Sequence, residues 1–281
     1  MKRLYPLAAI LFLAGLITSL VLGGCSPAVT GKLKVVTSTS LMEYIVKQVG
    51  GEHVDVINLV PPNQHPGNFD VKPGDIQKLS TASLFLLHGW PGEGYVDKLV
   101  TSANNPNLKV EKVVVDGNWM IPSNQLAATV KVRDILSAID SKNTADYQKS
   151  TEAYKQSIQT TEAGIKDRLA KVNVSSVKVI ASVRQADFLK WAGVNVVDTF
   201  ISSQSLTPQV VKDLVDKGKA AGVSLIVNNI QDGQDAGKGI AQDLGARNLN
   251  LSNFPGGLSN TETWEKAINN NVDILLDAIA K

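Results

Sequence analysis

His65, Asn68 and Asp70 stand close together in the stretch Pro61-Pro62-Asn63-Gln64-His65-Pro66-Gly67-Asn68-Phe69-Asp70-Val71-Lys72-Pro73-Gly74-Asp75. An imidazole and a carboxylate side by side suit ligation of a divalent cation, and with an amide beside them they also suit hydrogen bonding to a polar solute. The prolines stiffen the loop. Asp70 has a competing role, capping the helix that follows or bracing the loop. Of the other histidines, His53 sits in a polar turn and reads as a solvated surface residue. His88 ends the apolar run Leu84-Phe85-Leu86-Leu87 and reads as a hydrogen-bonded core histidine. Catalytic signatures are missing: there is no Gly-x-Ser-x-Gly, no His-Glu-x-x-His, no phosphate loop and no cysteine nucleophile, so an enzyme is not expected.

The elements around this loop say where it must lie. Val54, Val56, Ile57, Leu59 and Val60 alternate as a strand before it, and Pro73 opens a helix through Leu79 after it. Loops that follow strands are where α/β proteins hold ligands. Strand and helix signals keep alternating: strands at 33–37, 54–60, 83–88 and near 110–115, with helices at 74–81 and 94–102 and one capped by Ser40 with Glu43. Between Ser123 and Val172 the strand signals stop. Tyr147, Tyr154, Ile158, Ile165, Leu169 and Val172 recur at helical spacing, which predicts helices at 123–139 and 144–172. Alternation then resumes, with strands at 177–181, 194–197, 224–227 and 248–251 and helices at 185–192, 208–221, 236–244 and 261–280. Thr207-Pro208 supplies a cap and a first-position proline. The expected fold is therefore α/β: two lobes with mostly parallel sheets (33–143 and 173–281) joined by one long linking helix, 144–172. A stiff helical link permits only small relative motion, so a ligand is expected at the seam.

The chain opens Met1-Lys2-Arg3, runs apolar from Leu4 to Leu22 and reaches Gly23-Gly24-Cys25. A basic start, an apolar core and small residues before a lone cysteine form an export signal, with Cys25 as the expected lipidation site. An uncleaved membrane anchor is the alternative. Either way residues 26–281 lie outside the cytoplasmic membrane, with 26–32 as a tether. Cys25 is the only cysteine, which excludes disulfides and thiolate metal sites from the mature part. The chain carries 28 Lys and Arg against 26 Asp and Glu, and without Lys2 and Arg3 the counts are equal. A neutral protein of this kind is not expected to bind nucleic acid.

Gly50-Gly51-Glu52-His53-Val54, Pro61-Pro62, Pro73-Gly74-Asp75, His88-Gly89-Trp90, Asp116 to Pro122 and Asp140 to Tyr147 occur in an order that resembles the zinc/manganese-type substrate-binding lipoproteins of ABC transporters. The resemblance covers nearly all of residues 33–281. It implies a monomer held at the outer face of a bacterial cell membrane, capturing a solute for a permease driven by its ATPase. It also implies a site of histidines and carboxylates, and here the sequence departs. The first ligand histidine falls at Gly67, the second at Gly117, the third near Ser182 to Gln185, and the last carboxylate at Ser252 or Asn253.

Three readings stay open at the level of sequence. In the first, zinc, manganese or iron is the transported solute, held by His65, Asp70 and O/N donors such as Asn253; no catalytic cofactor is expected. In the second, the solute is a metal complex or a small anion. Arg184 would pair with its acidic group, Trp119 would offer a flat face, and Asn68, Gln185, Gln231 and Asn253 would hydrogen-bond to it. The alternative for Arg184 is a salt bridge to Asp187 or Asp232. In the third, the protein is an adhesin or structural surface lipoprotein that has lost its ligand.

Overall fold

The computed structural model describes residues 31–280. Cys25, the signal segment and most of the expected tether lie outside the described residues.

The first lobe is built from β1 (Leu33–Thr37), α1 (Ser40–Gly50), β2 (Val54–Asn58), α2 (Pro73–Ser80), β3 (Leu84–Leu87), α3 (Val96–Ala103) and β4 (Lys109–Lys112). Its four strands are parallel, in the order β2-β1-β3-β4. β3 is buried along its whole length, as expected for a central strand covered by helices on both faces. The edge strand β4, Lys-Val-Glu-Lys, is exposed throughout, and its charges discourage pairing with another chain. The strand expected near 110–115 ends at Lys112. Only Val113 still donates to the sheet, through its N–H to the Leu87 carbonyl at 2.8 Å, and the chain then leaves towards Gly117.

Two helices follow, α4 (Pro122–Ile139) and α5 (Thr144–Leu169). α5 is continuous over 26 residues, about 39 Å at 1.5 Å per residue. It buries Tyr147, Thr151, Tyr154, Ile158, Ile165 and Leu169, one stripe at the spacing of an amphipathic helix.

The second lobe repeats the first: β5 (Lys178–Ser182), α6 (Val183–Trp191), β6 (Asn195–Phe200), α7 (Pro208–Ala221), β7 (Leu225–Asn229), α8 (Lys238–Leu244) and β8 (Arg247–Leu251). Its parallel order, β6-β5-β7-β8, has the same pattern. α9 (Trp264–Ile279) closes the chain. The expectation of two α/β lobes around a long helix holds.

One hydrophobic core runs through both lobes. It joins Val35 and Leu86 of the first sheet to Tyr154 and Ile158 of α5, and these to Val179 and Val227 of the second sheet. Polar ties follow the same seam: Tyr44 Oη donates to Glu265 Oε2 at 2.7 Å and Ser157 Oγ to Glu265 Oε1 at 2.9 Å. Arg168 pairs with Asp273.

The cap of α1 differs from expectation. Thr39, not Ser40, is the N-cap, accepting from the Met42 N–H at 3.3 Å. Ser40 instead spends its hydroxyl across the seam, donating to the Pro255 carbonyl at 2.7 Å. Thr207 caps α7 as expected, accepting from the Val210 N–H.

Candidate functional site

In each lobe the strand order reverses direction at its first strand, with β1 between β2 and β3 and β5 between β6 and β7. The helices leaving the C-terminal ends of such neighbours diverge to opposite faces and open a crevice. The two crevices meet in a cavity of about 420 Å³. Its wall is made of strand ends and the segments that follow them: Leu41 after β1, His65 after β2, Trp90 after β3, Gly117 to Trp119 after β4, Arg184 and Asp187 after β5, Asn229 at the end of β7 and Gln231 beyond it, Asn253 and Phe254 after β8.

The first-lobe side is aromatic. Trp90 stacks on His88 with centroids 3.6 Å apart and planes at 9°. Trp119 meets His88 edge-on at 4.3 Å, and Phe254 lies nearly parallel to Trp90 across the seam at 6.4 Å. The Trp90 turn is held by Glu93. Its carboxylate accepts from the N–H groups of His88, Gly89 and Trp90 at 3.0, 2.7 and 3.1 Å. His88 is 1% exposed and its Nε2 lies 2.7 Å from Thr39 Oγ1. Its position agrees with the reading as a core histidine.

Burial pulls the His88 pKa down from the ordinary 6.5 to about 3. The folded state therefore binds its proton less well than the unfolded chain does. The stability this contributes is present above pH 6.5 and is lost as pH falls towards 3. Between pH 6.5 and 5, where most carboxylates stay ionised, unfolding free energy is expected to fall by roughly 1–2 kcal/mol. Denaturant titrations at the two pH values should show that slope in the native protein and a clearly smaller one in His88→Asn. Equal slopes would remove His88 as the acid-sensitive group.

The second-lobe side is polar. Arg184 pairs through Nε with Asp232, at 3.0 Å to Oδ1 and 2.9 Å to Oδ2. Asp232, 7% exposed, also accepts from Asn229 Nδ2 at 2.9 Å. Asn118 Nδ2 crosses the seam to the Arg184 carbonyl (2.8 Å) and to Asn253 Oδ1 (2.9 Å), which also accepts from Gln185 Nε2 at 2.8 Å. Gln231 Nε2 crosses to the Pro62 carbonyl at 2.8 Å. Amides thus bridge the lobes beside the positions where the resemblance calls for metal ligands.

His65, Trp119, Arg184, Gln231 and Asn253 of the sequence-predicted set line the cavity. Gln185 is fully buried next to the wall, holding Asn229 Oδ1 and Asn253 Oδ1. Asn68 and Asp70 are exposed and do not line it. The expected pairing of His65 with Asp70 in one site is therefore not made. Nor does Asp70 cap the next helix: Asp75 does, accepting from the Lys72 N–H at 3.0 Å. Arg184 takes Asp232 as its partner, not Asp187. Sequence reasoning missed Trp90, Asn118, Asp187, Asn229 and Phe254 as wall residues. Their one sequence signal is position, each lying within a few residues of a parallel strand's C-terminal end.

His65 merits its own account. Burial, and then the Arg184 guanidinium, hold its pKa below the ordinary 6.5, so the ring is neutral near pH 7. Its Nδ1 accepts from the Gly67 N–H at 2.9 Å. The ring proton must then sit on Nε2, making that atom a donor. A metal-bound imidazole has the opposite arrangement, a lone pair to the metal and an N–H to a second partner. The ring also fills the space where a side chain at position 67 would stand: a Cβ there would lie 2.9 Å from Nδ1. At Gly117, a Cβ would lie 2.9 Å from Asn124 Nδ2, and its φ of +84° disfavours a side chain. Among the described residues no three His, Cys, Asp or Glu side chains gather around a common point that would hold a metal ion.

A family model described as zinc-uptake complex component A, periplasmic, matches residues 35–278. Among curated proteins, the manganese ABC transporter substrate-binding lipoprotein PsaA of Streptococcus pneumoniae is 26% identical over 271 aligned residues, covering 86% of this chain and 87% of its own length. The manganese-binding lipoprotein MntA of Halalkalibacterium halodurans is 24% identical over 185 residues, covering 59% and 62%. Among solved structures, the manganese-bound periplasmic metal binding protein of Candidatus Liberibacter asiaticus superposes with a TM-score of 0.76 at 18% identity, over 88% of this chain and all of the other. A crystal structure of ZnuA gives 0.75 at 19% identity, over 88% and 99%. At such identities the structural likeness establishes the fold.

Proposed function

Because the chain belongs to the family of the periplasmic zinc-uptake complex component A, we propose that it is the extracytoplasmic solute-binding component of an ABC importer of divalent metal. The observation that carries this reading is the extent of the match. Residues 35–278 take in both lobes, the linking helix and every residue of the cavity wall. The relatives PsaA and MntA bear names of manganese transport and manganese binding.

In this reading the protein acts as a monomer and performs no chemistry on its cargo. It takes the solute into the interlobe cavity and presents it to a membrane permease, whose ATPase supplies the energy. Residues 1–25 form the lipoprotein signal with its lipidated Cys25, cleavage before Cys25 leaving that residue as the lipid carrier, and 26–32 form the tether. Residues 33–143 and 173–281 are the two lobes, and 144–172 the link.

Deleting the gene should lower cellular manganese, zinc or iron under metal limitation, measured by elemental analysis, with the plasmid copy restoring it. Unchanged content of all three would sink the importer reading. Cys25→Ala should shift the protein from the membrane fraction to the soluble extracytoplasmic fraction. Retention as strong as in the native protein would refute lipid anchoring.

A further inference from the structure

We propose that the cavity takes its divalent metal as a chelate with a small flat carboxylate, whose acidic group sits on Arg184 and His65 and whose ring lies against Trp90. This rests on the importer reading above and names the chemical form of its cargo.

The donor set points away from a bare ion. His65 offers Nε2–H and no lone pair, and no cluster of three metal-ligating side chains exists among the described residues. The amide N–H donors around the expected ligand positions are already engaged, and Gln185 Oε1 is the one amide oxygen among them that is buried without a partner. Asn118, Asn229, Gln185, Gln231 and Asn253 bond to one another, to Asp232 or to carbonyls.

The same arrangement suits a carboxylate. Arg184 is aimed before any ligand arrives. Asp232 holds its Nε, Asn229 holds Asp232, and Gln185 holds Asn229. Its carbonyl accepts from Asn118 and Asn253, fixing the backbone as well. A guanidinium tied at Nε keeps its Nη edge for a planar acidic group, and a preorganised donor loses little freedom on binding. Arg184 is 39% exposed, so that edge is reachable. The parallel rings of Trp90 and Phe254 and the edge of Trp119 supply flat apolar surface for the body of the ligand. A volume near 420 Å³ lies within the range of small-molecule sites.

Charge decides between a free carboxylate and its metal chelate. Arg184 and Asp232 cancel as a pair. Asp187, exposed on the same wall one helical turn beyond Arg184, leaves one negative charge. A free monocarboxylate would add a second negative charge. A one-to-one complex of a monocarboxylate with a divalent metal carries one positive charge, with its metal available to Asp187.

Calorimetry on the full chain, stripped of metal and held in detergent, tests this with Zn²⁺ or Mn²⁺ alone, picolinate alone, and the two together. Tryptophan fluorescence is followed in parallel. The expected result is one-to-one binding of the mixture at least tenfold tighter than of either component, with a change in emission. Arg184→Gln should weaken the mixture at least tenfold. Should that variant unfold because Asp232 loses its partner, the double variant Arg184→Gln/Asp232→Asn removes both charges and serves in its place. Equal affinity for metal with and without picolinate would overturn the proposal in favour of a bare ion. Equal affinity for picolinate with and without metal would overturn it in favour of a free organic anion. No heat in any arm also overturns it. The importer reading survives the first and third of these results, the second also counts against divalent metal as the cargo, and the deletion experiment tests that reading independently.

Discussion

Glu93→Ala is expected to cost about 3–4 kcal/mol of unfolding free energy, the largest effect of any single polar change near the cavity. Glu93 is 5% exposed and its two oxygens accept from three consecutive backbone N–H groups, those of His88, Gly89 and Trp90. Water cannot replace it for the buried His88 N–H, and an unpaired buried donor carries its full desolvation cost. For a domain of this size the melting temperature should fall by roughly 10 °C, read by far-ultraviolet circular dichroism. The near-ultraviolet signal should change too, because Trp90 is held against His88 by that turn. Glu93→Gln keeps one carbonyl acceptor and should lose less. A loss below about 1 kcal/mol in Glu93→Ala would show that the turn is held by its packing and not by the carboxylate.

Trp119→Ala is expected to be at least as damaging, by about 3–5 kcal/mol. The indole is 1% exposed, lies edge-on to His88 and Trp90, and donates through Nε1 to the Val115 carbonyl at 2.9 Å. The backbone carbonyl of Trp119 accepts from Trp264 Nε1 of α9 at 3.0 Å, so the same residue ties the first lobe to the closing helix. Truncation leaves a cavity between rigid neighbours, and the structure can relax into it only in part. Trp119→Phe retains most of the ring and should cost less than half as much. Urea unfolding of the three proteins checks the order; near-equal midpoints would mean that Trp119 is not part of the shared core. Because its edge also lines the cavity, any binding that survives in Trp119→Phe reports on the ring face and not on stability.

The extent to which the site was legible in the sequence varies by residue. Arg184 and Asn253 were placed by the order of motifs along the chain, and both line the cavity. Asp70 was placed by nearness to His65 in sequence, and nearness failed. The turn after Pro66 leaves Asp70 exposed while His65 lines the cavity, so the two do not share the wall. Ser40 fitted a capping pattern that Thr39 fulfils one residue earlier. Local patterns settle caps only to within a residue or so, because neighbouring hydroxyls compete and tertiary partners such as the Pro255 carbonyl decide between them.

By itself the sequence determined the two α/β lobes, the helix between them and the strand ends at which a ligand belongs. Those follow from the periodicity of apolar residues, a local property that each segment carries with it. Taken with the family resemblance, it also implies that the usual ligand histidines are missing, since Gly67 and Gly117 stand where the resemblance calls for them. Only the tertiary structure decided what stands in their place. Which ring nitrogen of His65 bears the proton depends on the Gly67 N–H. Which acid holds Arg184 depends on where the turn after β7 brings Asp232. The amides that bridge the lobes come from loops far apart in the chain, Asn118 from one sheet and Asn253 from the other. Donor and acceptor roles at the cavity are set by such long-range partners, and no spacing along the chain encodes them.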